Sequence, residues 1–149
     1  YESQEADGTK LSLEIAGNTP IVVLGLRDRI VQILRNLVSN AESFSPPNGT
    51  ITVKAEMSDQ LVVITIDDEG PGITEGSEND IFNRFYQERP PGEKFGTHSG
   101  LGLSISKQIV ESHGGTIWAE NRNSNTGDIL GARFIFQLPV INYELPSST

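Results

Sequence analysis

The chain has 149 residues, 36% of them hydrophobic, which suits one domain with a sizeable core and calls for no second domain. The 11 basic and 20 acidic residues leave a formal net charge of -9, which argues against a nucleic-acid partner or an anionic membrane surface, since both need clustered Lys and Arg. The absence of cysteine excludes disulfide, zinc-thiolate and thiol-nucleophile chemistry and is compatible with a reducing cytoplasm.

Residues 1 to 10 and the tail from Pro146 to Thr149 read as flexible ends, and a chain opening on Tyr1 with no signal peptide reads as a piece of something longer. No apolar run approaches a membrane span. Leu11-Ser12-Leu13-Glu14-Ile15 alternates like a half-buried strand, and Ile21-Val22-Val23-Leu24 is a second short strand closed by Gly25. From Leu26 to about Phe44, the residues Ile30, Leu34, Leu37, Val38 and Ala41 recur at helical spacing, and Ser45-Pro46-Pro47-Asn48-Gly49 stops that helix. Thr50 to Met57 and Leu61 to Asp67 are rich in β-formers and joined through Ser58-Asp59-Gln60, which predicts a hairpin.

Ile81 to Phe85 is predicted as a short helix, and Tyr86 to Ser99 as a long polar loop of the kind that is functional or mobile. Leu101, Ile105, Ile109 and Val110 mark a second long helix, ended by His113-Gly114-Gly115, where a glycine can take a left-handed cap. Thr116 to Glu120 and Arg133 to Leu138 read as closing strands, while the long connection from Arg122 to Gly131 matches no motif. Trp118 is read as core. Strict strand-helix alternation fails, so the expected fold is α+β: a two-layer sandwich with helices on one face of a mixed sheet, in a single domain over 1–149 with its core at about 11–140.

Three segments stand in one order: Asn36-Leu37-Val38-Ser39-Asn40, Asp68-Glu69-Gly70-Pro71-Gly72 and Ser99-Gly100-Leu101-Gly102-Leu103. The first puts two carboxamides on one helical face, able to offer neutral oxygens to a magnesium ion already satisfied by phosphate charge. The second supplies one carboxylate that can accept a hydrogen bond from the adenine amine, followed by glycines that let backbone approach the base. The third supplies backbone N–H groups at a helix start, where phosphates bind favourably. Each is weak alone, but in this order they are a recipe for holding ATP.

At these residues the sequence resembles the catalytic and ATP-binding domain of bacterial sensor histidine kinases, in the superfamily of gyrase, the ninety-kilodalton heat-shock chaperone and the mismatch-repair ATPases. Asn36 to Ala41 is similar to the asparagine box, Asp68 to Ile73 to the first glycine box, Ile81 to Tyr86 to the phenylalanine box, and Gly96 to Leu103 to the second glycine box. The resemblance implies the Bergerat ATP-binding fold with a mobile ATP lid at residues 86 to 99, and ATP with Mg2+ as cofactors. It implies that Asn40 coordinates the metal with Asn36 one turn earlier, that Phe44 packs on adenine, and that Asp68 fixes the base beside Gly70, Gly72 and Ile73. Arg84 then reaches terminal phosphate oxygens, joining Asn36 and Asn40 as catalytic residues; Gly100, Leu101, Gly102 and Leu103 cradle phosphate oxygens, and Tyr86, His98 and Ser99 are counted with the ATP-binding residues.

The same resemblance implies donation of the γ-phosphate to a histidine on a separate upstream dimerisation domain, absent here, so the fragment alone is not expected to label itself. The implied partners are that domain and a cognate response regulator; the parent is implied to be a homodimer anchored in the bacterial inner membrane, with this domain in the cytoplasm. His113, at a helix C-terminus, is expected to serve structure rather than accept phosphate, and Asp67 to be a bland neighbour of Asp68. Ser43 stands where many relatives carry Lys or Arg. Where hydrolysing relatives place a glutamate base, this chain has Asn36, which predicts slow hydrolysis. A serine-directed anti-sigma-type kinase and a non-catalytic ATP-binding module are the alternative readings.

Overall fold

The computed structural model describes residues 10–15, 27–84 and 102–139. The predicted strand at Ile21–Leu24 and the loop from Tyr86 to Ser99 lie outside the described residues. Strand β1 (Lys10–Ile15) runs parallel to β2 (Thr50–Ser58), and α1 (Arg27–Phe44) lies between them in sequence. Parallel neighbours need such a crossover, because a tight turn cannot join them. β2 then turns through Asp59 and Gln60, with Asp59 at a positive φ of 55°, into the antiparallel β3 (Leu61–Asp67). The hairpin prediction holds to within a residue.

After β3 the chain leaves the sheet for a three-residue 3-10 turn at Asp80–Phe82 and for α2 (Gly102–Ser112), and returns as β4 (Thr116–Asn123) and β5 (Ile129–Pro139). Among the described residues the sheet has the order β1-β2-β3-β5-β4, parallel at β1/β2 and antiparallel elsewhere. The predicted mixed sheet and α+β sandwich are therefore present. The expected helix from Ile81 to Phe85 is only the short turn, because Asn83 is already extended at φ -73° and ψ 148°.

The core lies between the helices and one sheet face. Ile33, Leu37 and Ala41 of α1 and Ile109 and Val110 of α2 pack with Ile51, Val62, Ile66, Ile117, Ala132, Phe134, Phe136 and Leu138. Alternate residues of β5, from Ala132 to Leu138, point into this layer, as the two-residue strand period requires. Trp118 does not: its neighbours Ile117 and Ala119 take the core side of β4, which leaves the indole half-buried on the opposite face. The core reading of Trp118 is thus corrected by strand parity.

The connection that matched no motif resolves into longer strands and a tight turn. Ser124 N–H donates to the Asp128 carbonyl at 2.8 Å, Asp128 N–H donates to Ser124 Oγ at 3.1 Å, and Gly127 takes a φ of 90°. Short polar side chains hydrogen-bond the backbone here, so the hairpin needs no apolar signature. At the end of α2, Gly114 (φ 79°) donates to the Glu111 carbonyl at 3.0 Å and Gly115 to the Val110 carbonyl at 2.9 Å, the paired bonds of a Schellman cap.

Candidate functional site

The site is built where β3 ends against β5. Asp67 is the last residue of β3 and pairs with Arg133, so Asp68 emerges directly beside Gly131 and Ala132. Asp68 is 1% exposed, and burying a carboxylate this deeply is costly unless it is hydrogen-bonded. It is: Oδ1 accepts from Gly70 N–H at 2.9 Å and from Ala132 N–H at 3.0 Å. Its backbone N–H donates to the Ala132 carbonyl at 3.0 Å. Among the described residues Oδ2 takes no hydrogen bond, which leaves one oriented carboxylate oxygen for a ligand's N–H.

Burial raises the Asp68 pKa above its ordinary 3.8, opposed first by the Ala132 and Gly70 amides and then by the charge of Arg122, while Asp67 adds to the rise. The glycines around it are dictated by close backbone. A Cβ on Gly70 would lie 2.6 Å from the Phe44 carbonyl oxygen, and one on Gly131 would lie 2.0 Å from the Asp68 carbonyl oxygen. Gly72 has a φ of 84°, and a Cβ there would meet Asn121 Oδ1 at 2.6 Å and Ile129 Cγ2 at 2.7 Å. Phe44 therefore meets the glycine segment through its backbone as α1 ends, and Ile73 is buried beneath that segment.

Four residues that the sequence reading did not select hold this segment. Asn121 of β4 accepts from Ile73 N–H at 2.6 Å and donates to the Ile73 carbonyl at 3.0 Å, acting as a strand partner made of side chain. Arg122 Nη1 donates to the Asp68 carbonyl. Arg133 grips Asp67 with Nε at 2.7 Å from Oδ1 and Nη2 at 3.0 Å from Oδ2. Glu69 Oε1 accepts from Thr50 N–H at 2.8 Å, which ties the segment to the start of β2. Asp67 is thus structural, as read, but it is an ion-pair centre rather than a bland turn residue.

The asparagine helix approaches from the other layer. Asn36 Nδ2 donates to the Gly102 carbonyl at 3.3 Å and to Ser106 Oγ at 3.2 Å, so this carboxamide joins α1 to the first turn of α2. Gly102 fits because even a Cβ there would stand 3.8 Å from Asn36 Cβ and Cγ. Asn40, one turn on, is 3% exposed, and a buried carboxamide oxygen suits a hard cation that draws its remaining ligands from phosphate and water. Among the described residues no group of three or more His, Asp or Glu could hold a metal ion without such help. Ser43 is buried with its hydroxyl donating to the Ser39 carbonyl at 3.1 Å.

Leu103 lies in the first turn of α2, and Arg84 is exposed just beyond the turn that Phe82 anchors. The Phe82 ring packs edge-on to Phe134 at 6.1 Å, and Lys107 Nζ stands 5.9 Å from its centroid. Tyr86, His98, Ser99, Gly100 and Leu101 lie outside the described residues. His113 caps α2, with Nδ1–H donating to the Ile109 carbonyl at 2.8 Å.

Residues 25–142 match the family described as histidine kinase-, DNA gyrase B- and HSP90-like ATPases. The chain belongs to that family. It is 50% identical over 119 residues to the sensor protein ChvG of Rhizobium meliloti, a match that takes in 79% of this chain and 21% of that protein. The fold of this ATPase-family domain superposes on the mycobacterial sensor histidine kinase MprB with a TM-score of 0.76 at 29% identity, covering 91% of this chain and 83% of that one. It also superposes on histidine kinase ThkA in complex with the response regulator TrrA, with a TM-score of 0.72 at 33% identity, covering 91% and 35% of the two chains. By sequence and fold this ATPase-family domain is thus similar to the catalytic domains of sensor histidine kinases, and it spans about a fifth of the ChvG length.

Proposed function

We propose that this domain binds Mg-ATP and presents the γ-phosphate to a histidine on a dimerisation domain elsewhere in the parent protein. The observation that carries the reading is the buried Asp68 carboxylate, held on one oxygen by Gly70 and Ala132 and left with the other for the exocyclic amine of adenine. Gly70 and Gly72 let the segment lie close against Phe44 and Asn121, which sets the wall beside the base. Asn40 holds the magnesium, and Asn36 fixes the start of α2 so that its free N–H groups face the phosphates. Arg84 reaches the terminal phosphate, with His98, Ser99 and the Gly100 to Leu103 amides completing the cradle.

Bound Mg-ATP supplies the transferable phosphoryl group; the protein's part is to orient it and to neutralise developing charge. Asn36, a carboxamide, cannot take a proton from water near neutral pH, which favours transfer over hydrolysis. A cognate response regulator would then receive the phosphate, as the ThkA complex with TrrA suggests by kinship. Among the described residues no helix is long and apolar enough to cross a membrane.

The test is reconstitution. Incubated alone with γ-labelled ATP, the chain stays unlabelled; supplied with the dimerisation domain of its parent, it labels that domain's histidine, and Asn40→Ala abolishes the transfer. Label on His113 or His98 of the isolated chain, or rapid ATP turnover without acceptor, would overturn the assignment.

A further inference from the structure

Arg122 sits at the register shift between Arg122 and Asn123 in the β4/β5 pairing, where the strand bends out of the regular ladder. From there its guanidinium serves two groups: Nη1 donates to the Asp68 carbonyl, and Nε stands 3.6 Å from Asp67 Oδ2. Asp67 is in turn held by Arg133 from β5, so two guanidinium groups flank one carboxylate. Asp68 is consequently fixed at its N–H, at its carbonyl and at Oδ1. Arg122 is the one side chain in that set of three restraints.

We propose that Arg122 is a positioning residue for nucleotide recognition: braced by Asp67, its guanidinium clamps the Asp68 peptide and so aims the remaining carboxylate oxygen at the base. The inference rests on the adenine role of Asp68 given above. A planar fork is needed, because one side chain must span a carboxylate and a neighbouring carbonyl at once. The clamp also acts electrostatically. Burial favours protonated Asp68, and Arg122 is the cation that opposes this directly, after the Ala132 and Gly70 amides. The other charges here are Asp67 on β3, which works the opposite way, and Arg133 on β5, which is engaged by Asp67 with Glu120 of β4 nearby. An adenine amine donates only to a free lone pair, and a protonated carboxyl offers fewer of them.

The experiment measures Mg-ATP affinity calorimetrically across about pH 4 to 8 for the wild-type chain, Arg122→Met, Arg122→Lys and Asp68→Asn. The wild type loses affinity on the acid side as Asp68 takes its proton, and Asp68→Asn abolishes that acid limb. Arg122→Met binds roughly tenfold more weakly near neutral pH, about the worth of one hydrogen bond, and its acid limb moves to higher pH. Arg122→Lys returns the limb toward the wild-type position but regains only part of the affinity, since an ammonium cannot fork between the two groups.

An acid limb that stays put in Arg122→Met, with affinity within about twofold and only the melting temperature lowered, would reduce Arg122 to an ordinary structural ion pair and overturn the inference. If Arg122→Met does not fold, Arg122→Lys decides: weakened binding with an unmoved limb supports the clamp, and unchanged affinity overturns it. A wild type with no limb that depends on Asp68 would sink the adenine reading itself, an outcome distinct from a limb that is present but insensitive to Arg122.

Discussion

Asn121 and Ile73 exchange two hydrogen bonds, side-chain amide to backbone, across a sequence distance of 48 residues. The bonds replace the strand partner that the glycine segment lacks. Asn121→Ala leaves the Ile73 N–H without its acceptor and should lower stability by about 2 kcal/mol, read as a fall in urea midpoint. Asn121→Asp keeps the acceptor but sets an oxygen against the Ile73 carbonyl, so it should recover only part of that loss.

Asp68→Asn should separate binding from stability. The substituted amide keeps an oxygen for the Gly70 and Ala132 N–H groups but turns an NH2 toward the ligand's own donor. Nucleotide affinity should fall by about 1 to 3 kcal/mol in titration calorimetry. The free chain behaves differently. Folding raises the Asp68 pKa, so its contribution to stability is fully present below the ordinary 3.8 and is lost as pH rises through the raised value. At neutral pH the unliganded Asp68→Asn chain should therefore melt at or above the wild type, and a marked drop in its melting temperature would contradict this account.

Two glycines of one hairpin should respond unequally to alanine. Gly131→Ala drives a methyl into the Asp68 carbonyl, 2.0 Å away, and should cost about 3 kcal/mol together with nucleotide binding. Gly127→Ala meets no atom within 4 Å and has only its φ of 90° to resist, so about 1 kcal/mol with unchanged binding is expected. Thermal melts and nucleotide titrations of the two variants check both halves.

Asn36→Asp removes the donor that Gly102 and Ser106 share and sets a carboxylate oxygen near the Gly102 carbonyl. Loss of about 1 to 2 kcal/mol in stability should be accompanied by weaker ATP binding, because the start of α2 is no longer pinned. Asn36→Ala should cost less than Asn36→Asp in the same denaturation assay.

His113→Ala removes the hydrogen bond from Nδ1 to the Ile109 carbonyl and should cost about 1 kcal/mol. Phosphate transfer to a supplied acceptor domain should be unaffected once the protein is folded. A loss of labelling at unchanged stability would assign this ring a chemical role.

The parts legible in the sequence were those with local causes. The α1 stripe, the β2/β3 hairpin and the glycine stop of α2 follow from spacing and turn chemistry within a few residues. Asp68 stood out by its glycine spacing, but its supports did not. Arg122 and Ala132 reach it from 54 and 64 residues away, through a register that only the assembled sheet defines. Trp118 was misplaced for a related reason: a large aromatic suggests core, while strand parity is set by its smaller neighbours Ile117 and Ala119. Ser43 was read by comparison with a cation, and its burial against the Ser39 carbonyl is a property of the helix alone.

β5 closes the described sheet from within, wedged between β3 and a strand made earlier, and it carries the amide that restrains Asp68. On the proposal that Asp68 holds the base, a nascent chain on the ribosome shows every earlier box before it can hold a nucleotide. Until Ala132 clears the exit tunnel, β3 and β4 each expose a raw edge, and ATP in the cell has no finished seat to occupy.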